Sequence, residues 1–366
     1  MNKILKGSIF ALSLLTMASC GSSNGESSKV SPVVSDNNNS ESTGIKDENS
    51  TVYPLTLTTY NSSSQEISQT YTKAPSRVIV GSLSSAETLI ALGLKDKIIG
   101  MVNPDNKVTG EYADDVNSLT MLGDKKTISH ETILNQDPDF IFGRCSSFAI
   151  SQSGGVAKAG NFGTPEELNK LDISMYAQKA SVSKKIVSLS DVITDVRNIG
   201  KIFDVQVKAN EYADSLQSKL NSINEKVAAV NISTTGNYKN ALIMTGYGKK
   251  DVASAETYGV FKSQLQENML NSIGYTNYYG PELSGVSYTV ETLNVQNPDL
   301  IIYVTSDRNA AKDEVAVDLM TNNSALQDVP AIKNKKIIKV NYDDFMDYGP
   351  RTINTLETIF NFAYGE

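Results

Sequence analysis

The chain has 366 residues, 40% hydrophobic and 20% charged, which suits a soluble globular protein with room for two ordinary domains. Its formal net charge of −8 argues against nucleic acid as a partner, because phosphate binding wants a basic surface. One histidine and two cysteines supply no cluster at zinc spacing, so no bare metal site is expected.

The N-terminus reads as a targeting segment. Lys3 and Lys6 precede a short apolar run, Ile9 to Ala18. That run falls short of the roughly 20 residues needed to span a bilayer. The segment ends Met17-Ala18-Ser19-Cys20, and small residues directly before a cysteine resemble a bacterial lipobox. That implies a lipoprotein signal peptide over residues 1–19 and a lipid on the Cys20 sulfur. An ordinary secretory peptide with a chance cysteine is the alternative. Losing Lys3 and Lys6 takes the 33 basic residues to 31, against 41 acidic ones. With Cys20 lipidated, Cys145 has no partner and no disulfide is expected. Residues 20–52 form a tether: from 21 onward they are rich in Ser, Asn, Asp and Glu and cannot bury enough surface to offset their ordering entropy. No later stretch is long and apolar enough to be a membrane span.

Order is predicted from Tyr53. "YPLTLTTY" and "QEISQTYT" alternate around the polar turn "NSSS" and read as a β-hairpin. Arg77–Gly81 ("RVIVG") is a continuous apolar run, typical of a strand buried on both faces. A helix follows in "SSAETLIALGL", with Ser84 or Ser85 as the expected cap and Gly93 as the stop. "KIIGMV" is the next strand. Ala209, Tyr212, Ala213, Leu216, Leu220, Ile223, Val227 and Val230 then recur at helical spacing. They predict one helix over 205–230, reaching about 39 Å if unbroken. A second strand–helix series starts at "NALIMTG", continues with "KIIKVN" and closes with a helix in "RTINTLETIFNFAY". The fold class is α/β: two lobes (53–204 and 231–366), each a mainly parallel sheet flanked by helices, joined by a single long helix.

One motif occurs twice, 160 residues apart. Ser129–Phe142 reads "SHETILNQDPDFIF" and Thr289–Ile302 reads "TVETLNVQNPDLII". Ser129 and Thr289 are the expected N-caps, and Glu131 and Glu291 fall in first helical turns. Asp-Pro or Asn-Pro ends each helix, because a residue before proline avoids the helical region.

Ligands of parallel sheets bind beyond the carboxyl ends of the strands. Those ends are polar here, and they place Arg144, Lys249, Lys250, Arg308 and Arg351 as cations for a cleft. Tyr247, Tyr258 and Tyr348 are candidates to stack on a ligand or hydrogen-bond to it. The serines of "GSLSSAE", Ser84 among them, and their helix N-terminus can receive an anion. The set suits a negatively charged ferric chelate, since arginine forks bind oxyanions and lysine adds point charge. Solvated surface is the alternative for any one of these cations. Cys145 reads as a half-buried structural thiol; a thiol pKa lowered by the adjacent Arg144 is the alternative. His130 reads as a solvated helix-start residue.

Taken in order, the lipobox, the hairpin before "PSRVIVGSLSSAETLIALGL", the paired glutamate motifs, the long helix and "GPRTINTLETI" resemble one family. It is the class III substrate-binding lipoproteins of bacterial ABC importers, which deliver iron-siderophores, haem and cobalamin. The resemblance runs from about Tyr53 to the C-terminus. It implies a monomer of two rigid lobes, with the ligand in the cleft between them. It also implies export, with anchoring to the membrane through Cys20. By resemblance, Glu131 and Glu291 match the residues that dock onto arginines of the permease dimer, and Arg351 falls in a ligand-contacting loop. The expected cargo is a small-molecule metal chelate, an iron complex; no cofactor is expected. Cobalamin, haem or an oxyanion such as molybdate are alternatives on the same scaffold. A tetrapyrrole metal chelatase-like enzyme is a remote one: no nucleophile with a base, phosphate loop or credible carboxylate pair is present, so no enzyme activity is expected. A surface adhesion or scaffold lipoprotein is a further alternative.

Overall fold

Alternating side chains shape the first element. Strand β1 (Leu55–Tyr60) pairs antiparallel with β2 (Glu66–Tyr71), from Leu55 opposite Tyr71 to Tyr60 opposite Glu66. The computed structural model describes residues 49–150, 162–230, 232, 237–249, 256–277 and 287–365, all within one compact unit, Lys46–Glu366. The signal peptide, Cys20, Lys250 and the tether up to residue 48 lie outside the described residues. Among the described residues no helix is long and apolar enough to cross a membrane.

The first lobe holds five parallel strands: β3 (Val78–Val80), β4 (Ile98–Val102), β5 (Met121–Gly123), β6 (Phe140–Arg144) and β7 (Ser174–Gln178). Their spatial order is β5-β4-β3-β6-β7. Val78, Ile79 and Val80 are all buried, as a strand covered on both faces demands. The second lobe is built on β8 (Lys239–Lys249), β9 (Glu256–Val260), β10 (Tyr275–Asn277), β11 (Tyr288–Thr289), β12 (Leu300–Thr305) and β13 (Ile337–Asn341). Its order is β11-β9-β8-β12-β13, with β10 also on β8. This sheet is mixed. β9 runs antiparallel to β8 and β11 antiparallel to β9, while β10, β12 and β13 keep the parallel pattern. "Mainly parallel" therefore describes the first lobe fully and the second only around β8, β10, β12 and β13.

The duplicated motif occupies the same place in both lobes. Ser129 and Thr289 cap helices His130–Leu134 and Val290–Gln296. The chain then turns through Asp137 (φ 51°) and Asn297 (φ 48°), left-handed residues that stop each helix before its proline. The strands that follow, β6 and β12, each lie beside the first strand of their lobe, β3 and β8. The aligned aspartates lock that register. Asp139 accepts from the Arg77 N–H at 2.9 Å, and Asp299 accepts from the Asn240 N–H, also at 2.9 Å. Each helix crosses between two strands that point the same way, so each helix N-terminus, with its glutamate, sits on the carboxyl-end rim of its sheet.

A helix over Gln206–Ala229, flanked by Val205 and Val230, links the two sheets and is about 36 Å long. It crosses helix Leu189–Ile202 closely. A Cβ on Gly200 would lie 2.2 Å from the Ala209 Cβ, so no larger residue fits there. Ala209, Ala213, Leu216, Ile223 and Val227 belong to one continuous core. That core also takes β3 and β6, one face of β8 (Ala241, Ile243) and of β12 (Ile302, Val304), and closing helix Arg351–Tyr364. The opposite face (Leu242, Met244, Ile301, Tyr303) packs in a separate cluster. Because the larger core passes through both lobes, splaying them would expose apolar surface at about 25 cal/mol per Å².

Two buried carboxyls make stability depend on pH. Burial lifts Asp195 to about 7, although Tyr176 and the Lys179 and Ala180 N–H groups donate to it. Burial likewise lifts Asp343 to about 6. A folded-state pKa above the unfolded value means that the stabilising contribution is present at acid pH and lost as pH rises through the folded value. The exposed Glu66 and the half-buried Glu357, held low by Lys185 and Lys226, act oppositely below their ordinary range. The unfolding midpoint is therefore expected to peak near pH 5 and fall toward pH 8. Asp195→Asn should flatten that alkaline fall in a thermal-melt series; an unchanged slope would exclude Asp195 as its source.

Candidate functional site

The carboxyl ends of the two sheets face each other. From the first lobe come Gly81 after β3, Asp105 after β4, Lys125 after β5, and Arg144 and Gln178 at the ends of β6 and β7. From the second come Arg308 after β12 and the loop Tyr342–Gly349 after β13. Arg144 is ion-paired with Asp347 and also donates to the Tyr342 hydroxyl at 3.4 Å. Its guanidinium lies 5.8 Å from the Tyr342 ring centre and 5.6 Å from that of Tyr348. The Lys125 ammonium sits 4.3 Å over the Tyr342 ring. A cavity of about 130 Å³ opens here, lined by Gly81, Lys125, Arg144, Ser147 and Phe162.

The electrostatics of this spot are unusual. Burial pushes the Tyr342 phenol up, but the Arg144 and Lys125 charges beside it outweigh burial and leave it below its ordinary value. Burial holds the Lys125 ammonium below its ordinary value. Two cations and an aromatic oxygen thus converge beside a cavity, an arrangement that receives oxyanions or a metal-bound oxygen ligand.

Carboxylates from within the chain occupy the cations. Asp347 takes Arg144 and also accepts from the Ser84 N–H at 2.7 Å, at the start of helix Leu83–Ala91. Asp105 bridges Lys125 of its own lobe and Arg308 of the other. Asp343 accepts from the Asp105 and Asn106 N–H groups at 3.1 and 2.7 Å, closing the lobes further. Gly349 crosses so near Ser84 that a Cβ would meet the Ser84 Cβ at 2.1 Å. This close approach requires glycine at 349.

The periplasmic binding protein family model matches residues 78–342, spanning both sheets and the cleft between them. The chain belongs to the periplasmic binding protein family. Its two-lobed fold is that of the class III periplasmic binding proteins. It is 24% identical over 313 residues to the uncharacterized ABC transporter substrate-binding lipoprotein YvrC of Bacillus subtilis strain 168, covering 86% of each chain. It is 25% identical over 272 residues to the petrobactin-binding protein YclQ of the same organism, covering 73% of this chain and 74% of that one. A crystal structure of an ABC-type Fe3+-hydroxamate transport system from Saccharomonospora viridis superposes with a TM-score of 0.63 at 20% identity. That match covers 86% of this chain and 100% of that one, and shows a shared fold.

In this periplasmic binding protein, Arg144, Arg308, Tyr348 and Ser84 do converge where the lobes meet, but Ser84 is not free. Ser82 is the cap of its helix, its hydroxyl accepting from Ser85 N–H. The anion at that helix start is Asp347, and the Ser84 hydroxyl donates to the Asp347 carbonyl at 2.7 Å. Arg351 donates to both oxygens of Glu87, at 2.7 and 2.6 Å, and to Asp344 at 2.7 Å. It ties the closing helix to the first lobe and stands apart from the Arg144 cavity. Tyr247 and Tyr258 are corrected. Both rings are buried in the second lobe's own core, their hydroxyls on Glu256 and Gln296, and neither can stack on a ligand. Lys249 ends β8 as an exposed residue opposite Glu256. Cys145 takes the structural reading: it is buried, and burial pushes its thiol up to about 12. His130 is half-buried, its ring so close to Gly163 that a Cβ there would lie 2.6 Å from it.

Sequence reasoning missed Lys125, Tyr342, Asp105 and Asp347. Lys125 and Tyr342 carried a usable signal, since each stands within two residues of a strand's carboxyl end.

Proposed function

We propose that this periplasmic binding protein works outside the cytoplasm as a lipid-anchored carrier that takes up a ferric chelate of the siderophore type between its lobes and hands it to an ABC importer permease. One observation carries the reading: Arg144 and Lys125 from one lobe and Arg308 from the other meet at the carboxyl ends of the sheets beside Tyr342. Cations drawn from two lobes suit a multiply charged ligand that spans both. The petrobactin-binding relative and the Fe3+-hydroxamate neighbour support an iron chelate. The lipid on Cys20 and docking of the permease by Glu131 and Glu291 belong to the same proposal; both glutamates are exposed. The Thr289 hydroxyl and a helix-start N–H hold Glu291 below its usual range, so it stays charged.

A second reading, haem, is favoured by one feature. Tyrosine can ligate haem iron, and Tyr342 is held below its ordinary pKa in the cleft. The test is a titration of the soluble chain, lacking residues 1–20, with ferric siderophores, haem and cobalamin. The 17 tyrosines and absence of tryptophan make tyrosine emission the natural signal. Saturable quenching by a ferric siderophore, with no response to cobalamin, is expected. Saturation by haem alone would move the assignment to the second reading.

A further inference from the structure

Asp105 follows β4, and its carboxylate joins Lys125 of the first lobe to Arg308 of the second. Its side chain is only 6% exposed, yet it borders an open cavity of about 440 Å³ that also touches Asn103, Thr127 and Asp307. The loop is held by other means. The Asp105 N–H donates to Asp343 at 3.1 Å, and its carbonyl accepts from the Asp307 N–H at 3.2 Å. Asp347 differs, because its carboxylate also satisfies the Ser84 N–H and so belongs to the framework. Among the described residues the Asp105 carboxylate bonds only to the two cations, and its backbone contacts are made without it.

We propose that Asp105 is a built-in competitor that sits in the oxyanion seat between Lys125 and Arg308 and thereby selects ligands by charge. The inference rests on the ferric-chelate reading of the cleft. A lysine point charge and an arginine fork on opposite lobes bind a group that offers at least two oxygens. An anionic chelate exchanges one carboxylate for another and keeps both cations paired. A neutral chelate that displaced Asp105 would leave two cations without a counter-charge, so it must bind elsewhere in the cleft or not at all. Ligand and side chain compete for one seat, so removing the side-chain charge raises affinity for anionic chelates alone.

The test titrates the soluble wild type and Asp105→Asn with ferric citrate, which is anionic, and with ferrichrome, which is neutral, by tyrosine emission. Asp105→Asn is expected to tighten ferric citrate on the order of tenfold, the worth of one hydrogen-bonded charge, and to leave ferrichrome within about twofold. Adding Arg308→Gln should erase the gain. Equal gains for both probes, no gain, or a loss for ferric citrate would overturn the proposal while leaving the ferric-chelate reading intact if the wild type binds. No binding of either probe by either chain would overturn both. Asp105→Ser repeats the charge removal with a smaller side chain; failure of both variants to fold also overturns the proposal, because the backbone bonds would then not suffice to hold the loop.

Discussion

Arg351→Ala is expected to cost about 3–5 kcal/mol, because it strands a buried charge. Glu87 is only 5% exposed and receives both guanidinium bonds. Burial already lifts its carboxyl above the ordinary value even with Arg351 in place. Without the guanidinium the carboxyl rises further and is ionised only at a cost. A raised folded-state pKa gives stability that is present below the unfolded value and lost as pH rises, so the deficit of Arg351→Ala should be small near pH 4 and full above pH 7. Urea denaturation at both pH values checks this, and adding Glu87→Gln should recover part of the loss. A deficit under about 1 kcal/mol at pH 7 would mean that solvent screens the pair as at an ordinary surface.

Glu131→Ala with Glu291→Ala is expected to abolish uptake by cells, a fall on the order of a hundredfold or more, with ligand affinity unchanged. Each exposed ion pair alone contributes about 0–1 kcal/mol. Two such pairs on one rigid body reinforce each other, because the second forms at high effective concentration. The shared core through both lobes supplies the rigidity, and the matching placement of the two helices supplies the pair. Single variants should lose far less than the double one. Transport of radiolabelled ferric siderophore would measure it, and normal uptake by the double variant would exclude these glutamates as the docking pair.

The fold was legible where a pattern repeats or is local. The hairpin, the long helix and closing helix Arg351–Tyr364 follow from alternation and helical spacing. The doubled glutamate motif showed the two lobes, because its caps, left-handed turns and register aspartates all act within a few residues or on the neighbouring strand. The antiparallel strands β9 and β11 were not legible, since short polar-flanked runs carry no mark of direction. Tyr247 and Tyr258 failed for a related reason. Both faces of the second sheet are covered, so a tyrosine near a strand end can point into the core as readily as into the cleft. Arg144 and Arg308 were legible from their place after strands, but Lys125 and the cations' partners were not. Arg144 meets Asp347, and Arg351 meets Glu87, across more than 200 residues of chain. No local pattern encodes such a pair; only the closed packing of the two lobes brings it together.

In a ferric-chelate carrier of this design the ligand's metal lies between the lobes at the convergent cations. Crystals grown with a ferric siderophore and measured at the iron absorption edge test it most directly. The account predicts an anomalous peak in the cleft beside Arg144, Lys125 and Tyr342. A peak on the outer surface, with the Arg144–Asp347 and Arg308–Asp105 pairs intact, would contradict it.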